Sequence, residues 1–459
     1  MDDSSSFIQK RYLNINPVNS GEGVYGYSAG LPQIIFQLGS QGLLLTDEVR
    51  LSFNLRICAN GSSTNNVDAA KQVATGFYNG AENIIDELEI SSTNYGRSLE
   101  RIDHYARMNA SVNSALHSKS QYDSHLNHEQ GSSGLGICSS QQLQDELDSD
   151  SQHFIVNGEV KHQGIIQRNN VEGRECSMRI VCGMFLSGQE ISLDDCGGLS
   201  LRLKLAPNEA VLGDLALITG EAATDAAGFH YEIHNPRLIA GCLLESPAQV
   251  AQRMANPNPS LNFLSYHSFY NNIVSTDFQV LHKINAGAVL SSFTNFCPTK
   301  NLNNYAQLSD AQMNPNIEEL TFQKDGQRVP LQYALLTDQD TVLTNDNSQP
   351  TTFPALLYHY LSSWGSPADR LKSSVSPVVS NLSATQNSYG VFGVGCSYDV
   401  ENQGINAKVS NIGFNLKSKL LDPANQADNT AQTPYSAFTY YLCKNELVIN
   451  RGQGVAVVN

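Results

Sequence analysis

The sequence predicts an all-β protein built from two β-sandwiches in tandem. Three observations carry that expectation. Apolar and polar residues alternate with a period of two in many short segments, the pattern of strands with one face in a core. Clusters of Gly, Asn, Asp and Pro separate those segments, as turns require. At 459 residues the chain is too long for one ordinary core and suits two domains.

The strands follow in order. Gln33–Leu38 is an early one. Val49, Leu51, Phe53, Leu55 and Ile57 alternate with Arg50, Ser52, Asn54 and Arg56, so the first set points inward. Ser177–Leu186 is apolar enough for a buried strand. Leu199, Leu201, Leu203 and Leu205 alternate with Ser200, Arg202 and Lys204, and Pro207 closes the run. His230–Leu238 ends the strands of the first half. The second half offers Asp277–Ile284, Tyr389–Tyr398, the alternation of Ile412, Phe414 and Leu416, and Glu446–Ile449.

Helices are few. Ser98 can cap one that carries Leu99, Ile102, Ala106, Val112 and Leu116 on a stripe. Pro354–Trp364 starts with Pro and ends before Gly365. Glu245–Met254 precedes the Pro-rich Asn256–Pro259 and reads as an inter-domain connection. Glu129–Gln152, Tyr305–Pro315 and Asp338–Pro350 read as long loops. The expected organisation is an N-terminal arm over 1–28, a first domain over 29–244, a connection over 245–264 and a second domain over 265–459. A constant offset brings Ile233, Asn235, Leu238 and Leu244 onto Val409, Asn411, Phe414 and Leu420, which suggests one module used twice.

Composition narrows the function. Only 16% of residues are charged, so the surface polarity is largely Asn, Gln, Ser and Thr. Such a surface weakens the repulsion that keeps copies apart. The net charge of −16 and the lack of a basic run argue against gripping nucleic acid. Nine cysteines without a Cys-x-x-Cys pair read as buried free thiols folded in a reducing compartment. Met-Asp-Asp-Ser-Ser-Ser lacks the apolar core of a signal peptide, which points to synthesis and folding in the cytosol.

Chemistry-bearing motifs are weak. His117, Asp123, His125, His128 and Glu129 cluster, but among loop residues and not as His-Glu-x-x-His. Gly21-Glu-Gly23-Val-Tyr-Gly26 has the letters of a dinucleotide fingerprint without the strand and helix that give it meaning. His230 and His234 would share a strand face, but no nearby residue completes a ligand set. Asp194-Asp195 and Glu318-Glu319 are adjacent, so in strands they face opposite sides and form no dyad. Asn60, Asn109 and Asn381 head chance glycosylation sequons, and Trp364 reads as core of its helix. The expectation is therefore no catalytic, cofactor-binding or metal-binding residues, and no enzyme.

Several of these features together resemble the double jelly-roll major capsid proteins of the tectivirus–adenovirus lineage, which includes polinton-like viruses, virophages and large DNA viruses. They are the strand pair Leu31–Leu38 and Val49–Ile57, the helix placed around Ser98–Leu116, and His230–Leu238 before the crossover. Ser265–Tyr270 opens the second module, Phe353–Trp364 supplies its helix, and Tyr440–Ile449 closes it. The resemblance spans nearly the whole chain and is one of pattern. It implies two tandem eight-stranded antiparallel jelly-roll sandwiches with a few short helices in the loops. It implies homotrimers that act as pseudo-hexameric capsomers in an icosahedral virion shell, contacts with minor capsid or penton proteins, no sequence-specific contact with nucleic acid, and room for an internal membrane. Two alternatives stand beside it: a two-domain carbohydrate-binding β-sandwich, and a double jelly-roll hydrolase of glycans or glycoproteins.

Overall fold

The computed structural model describes residues 9–60, 81–116, 174–214, 226–256, 260–305, 317–329, 393–398, 404–420 and 432–450, with gaps of one to three residues, and short pieces between them. Eight strands form the first half: β1 (Gln9–Ile15), β2 (Gln33–Leu38), β3 (Leu43–Ala59), β4 (Ile85–Ser92), β5 (Ser98–Asp103), β6 (Arg174–Arg179), β7 (Leu199–Leu205) and β8 (Phe229–Leu244). Eight more form the second: β9 (Ser260–Ile273), β10 (Asp277–Lys283), β11 (Ala288–Pro298), β12 (Ile317–Lys324), β13 (Leu335–Leu336), β14 (Gly393–Ser397), β15 (Asn411–Ser418) and β16 (Tyr435–Asn450).

In the first half one sheet runs β1-β8-β3-β6 and the other β2-β7-β4-β5. In the second half the orders are β9-β16-β11-β14 and β10-β15-β12-β13. Adding eight to each label of the first half gives the second. Neighbours within each half pair antiparallel. Eight antiparallel strands in this order across two sheets make a jelly roll, and the chain contains two.

The period-two register sets the cores. Val49, Leu51, Phe53, Leu55 and Ile57 of β3 and Leu199, Leu201, Leu203 and Leu205 of β7 are each no more than 1% exposed. Burying a side chain of this size contributes about 1.5–3 kcal/mol. In the second half Ile412, Phe414 and Leu416 fill the same role. Eight of the nine cysteines are free and buried, and Cys138 lies outside the residues whose side chains are described. No helix among the described residues is long and apolar enough to cross a membrane.

Some expectations need correction. Residues 9–15, expected in an arm, are β1, paired with β8 over its whole length. Five of its seven residues are exposed, as suits an edge strand, and this hid its alternation. Ser98 caps no helix: Ser98–Asp103 is β5, the chain turns at His104 (φ 55°), and α1 spans Tyr105–Leu116. Pairing of β5 with β4 overrides the helical stripe. The stretch Ser177–Leu186 leaves the sheet after Arg179 and forms the short helix α2 (Gly183–Leu186). The offset repeat also misleads. It lays β8 on β15, whereas topology equates β8 with β16, and Val409 stands 91% exposed outside any strand.

The connecting helix α3 (Pro247–Met254) has the signals the sequence shows. Ser246 caps it in a reciprocal box with Gln249, and Pro247 opens it. β9 then begins at Ser260, inside the stretch expected as connection. The helix expected at Pro354–Trp364 lies outside the described residues apart from Ser363, as do His117–Glu129, Asn381, Asp338–Pro350 and most of Glu129–Gln152.

Candidate functional site at the seam between the two halves

The halves meet edge to edge. β5 of the first and β9 of the second lie parallel, joined by one backbone bridge, Arg101 to His267. This makes a nine-stranded sheet across both halves, completed by Gly454–Val458 beside β16. With so little backbone pairing, side chains must hold the seam.

Glu100 of β5 does most of it. Its carboxylate is buried and accepts from the backbone N–H groups of Gly183 (2.9 Å), Met184 (2.9 Å) and Tyr266 (2.8 Å). One side chain thus ties β5 to α2 and to β9. Burial pushes its carboxyl up to about 7, while the three donors pull the other way. Gly183 allows the approach, since a Cβ there would lie 2.6 Å from Ser265 Cα. Val181 N–H donates to Tyr105 Oη, Asp103 N–H to Ser268 Oγ, and Tyr440 O–H to the His104 carbonyl. The Arg107 guanidinium sits 4.5 Å from the Phe438 ring centre. Phe263, Tyr266, Phe293, Phe438 and Tyr440 of the second half join the core of the first.

A ladder of charge crosses β4, β5 and β7 beside the seam. Arg101 pairs with Glu87 and Asp103, Arg202 with Glu87 and Glu89, and Lys204 with Asp86. Each of these cations faces an acid. A cleft of about 370 Å³ opens there, lined by Asp86, His104, Arg107, Lys204, Tyr270 and Phe438 among others. Burial pulls His104 down from its usual 6.5, with Asp86 at 3.7 Å opposing.

No family model and no curated protein matches the sequence. Solved structures match by shape. The Faustovirus major capsid protein superposes with a TM-score of 0.57 at 10% identity, covering 97% of this chain and 91% of that one. The PBCV-1 virus capsid gives 0.54 at 12%, covering 100% and 99%. This chain has the double jelly-roll fold. A chain of the Sputnik virophage gives 0.54 at 12%, covering 98% and 88%. Identities this low establish the fold alone. Both jelly rolls and the seam of this double jelly roll lie inside the matched length.

Apart from the two sandwiches, Val73–Thr75, Ile137–Cys138, Ile165–Ile166 and Leu212–Asp214 pair into a separate four-stranded sheet.

The residues singled out in the sequence fall into place around this frame. Asp195 pairs with Arg253 of α3 at 2.8 Å, Asp194 at 3.6 Å and Glu245 at 2.9 Å, so the acidic pair anchors the connection. Glu318 pairs with Lys417 and Lys419. Asn109 is fully buried inside α1, which removes its sequon from any folded-state use. Val24 and Tyr25 pair with β8, so Gly23–Gly26 opens no nucleotide-binding helix. His230 and His234 do share a face, and both contact Glu232. Sequence reading missed their neighbour Cys58, which lies opposite His230 across the β3–β8 pair. Burial, then the Glu232 carboxylate, push the Cys58 thiol up to about 12. Only the pairing register of two distant strands could have revealed it.

Proposed function

We propose that this chain is a viral major capsid protein whose activity is assembly. One observation carries the reading: a single superposition takes in two complete jelly rolls, and their seam, over nearly all of this chain and of known capsid chains. On this reading the first jelly roll runs over 9–244, α3 connects, and the second begins at 260. Three copies place six similar jelly rolls around an axis, and the resulting pseudo-hexagonal block tiles an icosahedral shell. The loop sheet built from Val73–Thr75 and its partners stands at one end as the base of an outer tower. The chain is a virion component. Its partners are copies of itself and the minor capsid or penton proteins of the same shell, and it needs no catalytic residue.

Size exclusion coupled to light scattering tests this. The expected mass at micromolar concentration is three times 50.0 kDa, with contacts burying on the order of 2,000 Å² or more in total. Negative-stain images should show hexagonal capsomers. A monodisperse monomer under those conditions would overturn the proposal.

A further inference from the structure

The outer face of the β3–β8 pair holds a cluster that the fold itself does not require. Cys58 lies directly across the pair from His230, and Glu232 follows two residues on, so the three side chains leave the sheet on one face. Their donor atoms all lie within 4.8 Å of one another. None of the three residues is more than 4% exposed.

The hydrogen-bond directions are fixed from outside. Asn60 Nδ2 donates to the Ala227 carbonyl at 3.1 Å, which turns Asn60 Oδ1 toward His230 Nδ1 at 3.2 Å. An amide oxygen only accepts, so Nδ1 carries the hydrogen. In the neutral ring, Nε2 is then a bare lone pair, and it faces Glu232 Oε1 at 3.3 Å. The other carboxylate oxygen accepts from His234 Nε2 at 2.8 Å. Two acceptors facing each other out of water need a proton or a metal ion between them.

We propose that Cys58, His230 and Glu232 bind a zinc ion between the end of β3 and the start of β8. A thiolate and an imidazole beside one carboxylate suit zinc and not magnesium or calcium, which take oxygen donors. On binding, the Cys58 S–H bond breaks, its proton leaves to solvent, and the sulfur bonds the metal. His230 gives its Nε2 lone pair and stays neutral. One thiolate and one carboxylate then cancel the dication, so the buried site has no net charge. Donors about 2.0–2.3 Å from a common ion stand slightly closer together than here, which a sub-ångström contraction supplies. Asn60 fixes the His230 tautomer and His234 fixes the carboxylate, as outer partners of zinc ligands do. Asn60 is exposed and contacts His230, so the cluster lies one side chain below the surface. The ion clasps the end of β3 to the start of β8.

Cobalt substitution tests this on the full chain, after chelation and desalting. Titration with Co²⁺ alone should give a thiolate-to-cobalt band in the near ultraviolet and intense tetrahedral visible bands. Both should saturate at one equivalent per chain and disappear on adding Zn²⁺. Cys58→Ser should lose the near-ultraviolet band, and His230→Gln should lose the visible intensity. Should either variant fail to fold by circular dichroism, Asn60→Ala, altered at an exposed position, should bind about 10–100-fold more weakly. Asn60→Asp, which keeps the acceptor, should restore binding. Folded wild-type chain without a thiolate band overturns the proposal and leaves a His230 imidazolium paired with Glu232. A band that persists in Cys58→Ser overturns it equally, because another cysteine then carries the metal.

Discussion

Glu100 makes the stability of the seam depend on pH. Burial lifts its carboxyl from 4.5 to about 7. Between those values the folded chain holds a proton that the unfolded chain has released. The folded value lies above the unfolded one, so the stabilising contribution is complete below pH 4.5 and is lost as pH rises through 7. A separation of this size corresponds to about 3 kcal/mol of folding free energy. The other titratable groups against the carboxylate are Cys182, Tyr266 and Cys443, all raised by burial and neutral throughout this window. Glu100→Gln removes the dependence. It also turns an amide N–H₂ toward a backbone donor that a carboxylate oxygen now satisfies, Met184 N–H at 2.9 Å if the Gln oxygen keeps the other two. One buried donor left unpaired costs about 1–3 kcal/mol. The expected outcome is a variant weaker than wild type at pH 5, with the gap closing by pH 8. Urea unfolding followed by circular dichroism at the two pH values measures it. Groups common to both chains cancel in the difference. Equal pH dependence in the two chains would refute the reasoning.

Three further outcomes are expected. Gly183→Ala places a Cβ 2.6 Å from Ser265 Cα and 2.8 Å from the Leu264 carbonyl, backbone that cannot rotate away. It should lower stability by about 1–3 kcal/mol, and an unchanged urea midpoint would show that the seam is looser than described. Phe53→Ala empties a fully packed site in the first core and should lose about 3–5 kcal/mol by the same measurement. His282 stacks on Phe269 and bonds Tyr441 and Asn271, and burial pulls it down to about 4. Its folded value lies below 6.5, so its contribution is present above 6.5 and lost as pH falls through 4. An NMR titration should find its ring still neutral at pH 5.

Much of the fold was legible where one strand face is wet and the other dry. β3 and β7 are of that kind, and their registers follow from the alternation alone. Strands that break the rule were misread. Leu99 and Glu100 are adjacent in β5 and both buried, and the exposed residues Ser98 and Arg101 stand three apart. With wet positions at that spacing there is no period-two alternation, and a helical stripe fits by accident. β1 fails in the opposite way, being mostly exposed at an edge. The cluster around Glu232 was half legible: His230 and His234 lie two residues either side of it on one strand, while Cys58 arrives through β3. Short-range spacing shows ligands on one strand and is blind to the partner across the sheet.

The seam itself explains why two jelly rolls in one chain can act as one rigid block. A long backbone ladder between β5 and β9 would add another step of sheet twist, about 20–25° per strand pair, and spread the relative orientation over many bonds. The chain uses a single bridge instead and sets the orientation with side chains from three directions. Glu100 fixes α2 and β9 together, Gly183 lets their backbones touch, and Arg107 lies on Phe438 behind them. The core of the first jelly roll continues through this point into Phe293 and Tyr440 of the second. Packed cores do not deform continuously, so a junction that is itself core admits one arrangement. The connection α3 is separately tethered by Arg253 to Glu245 and Asp195, within the first half, and so follows the seam without setting it. An angle fixed by a junction whose core is packed is what a block needs if copies of it are to close a ring.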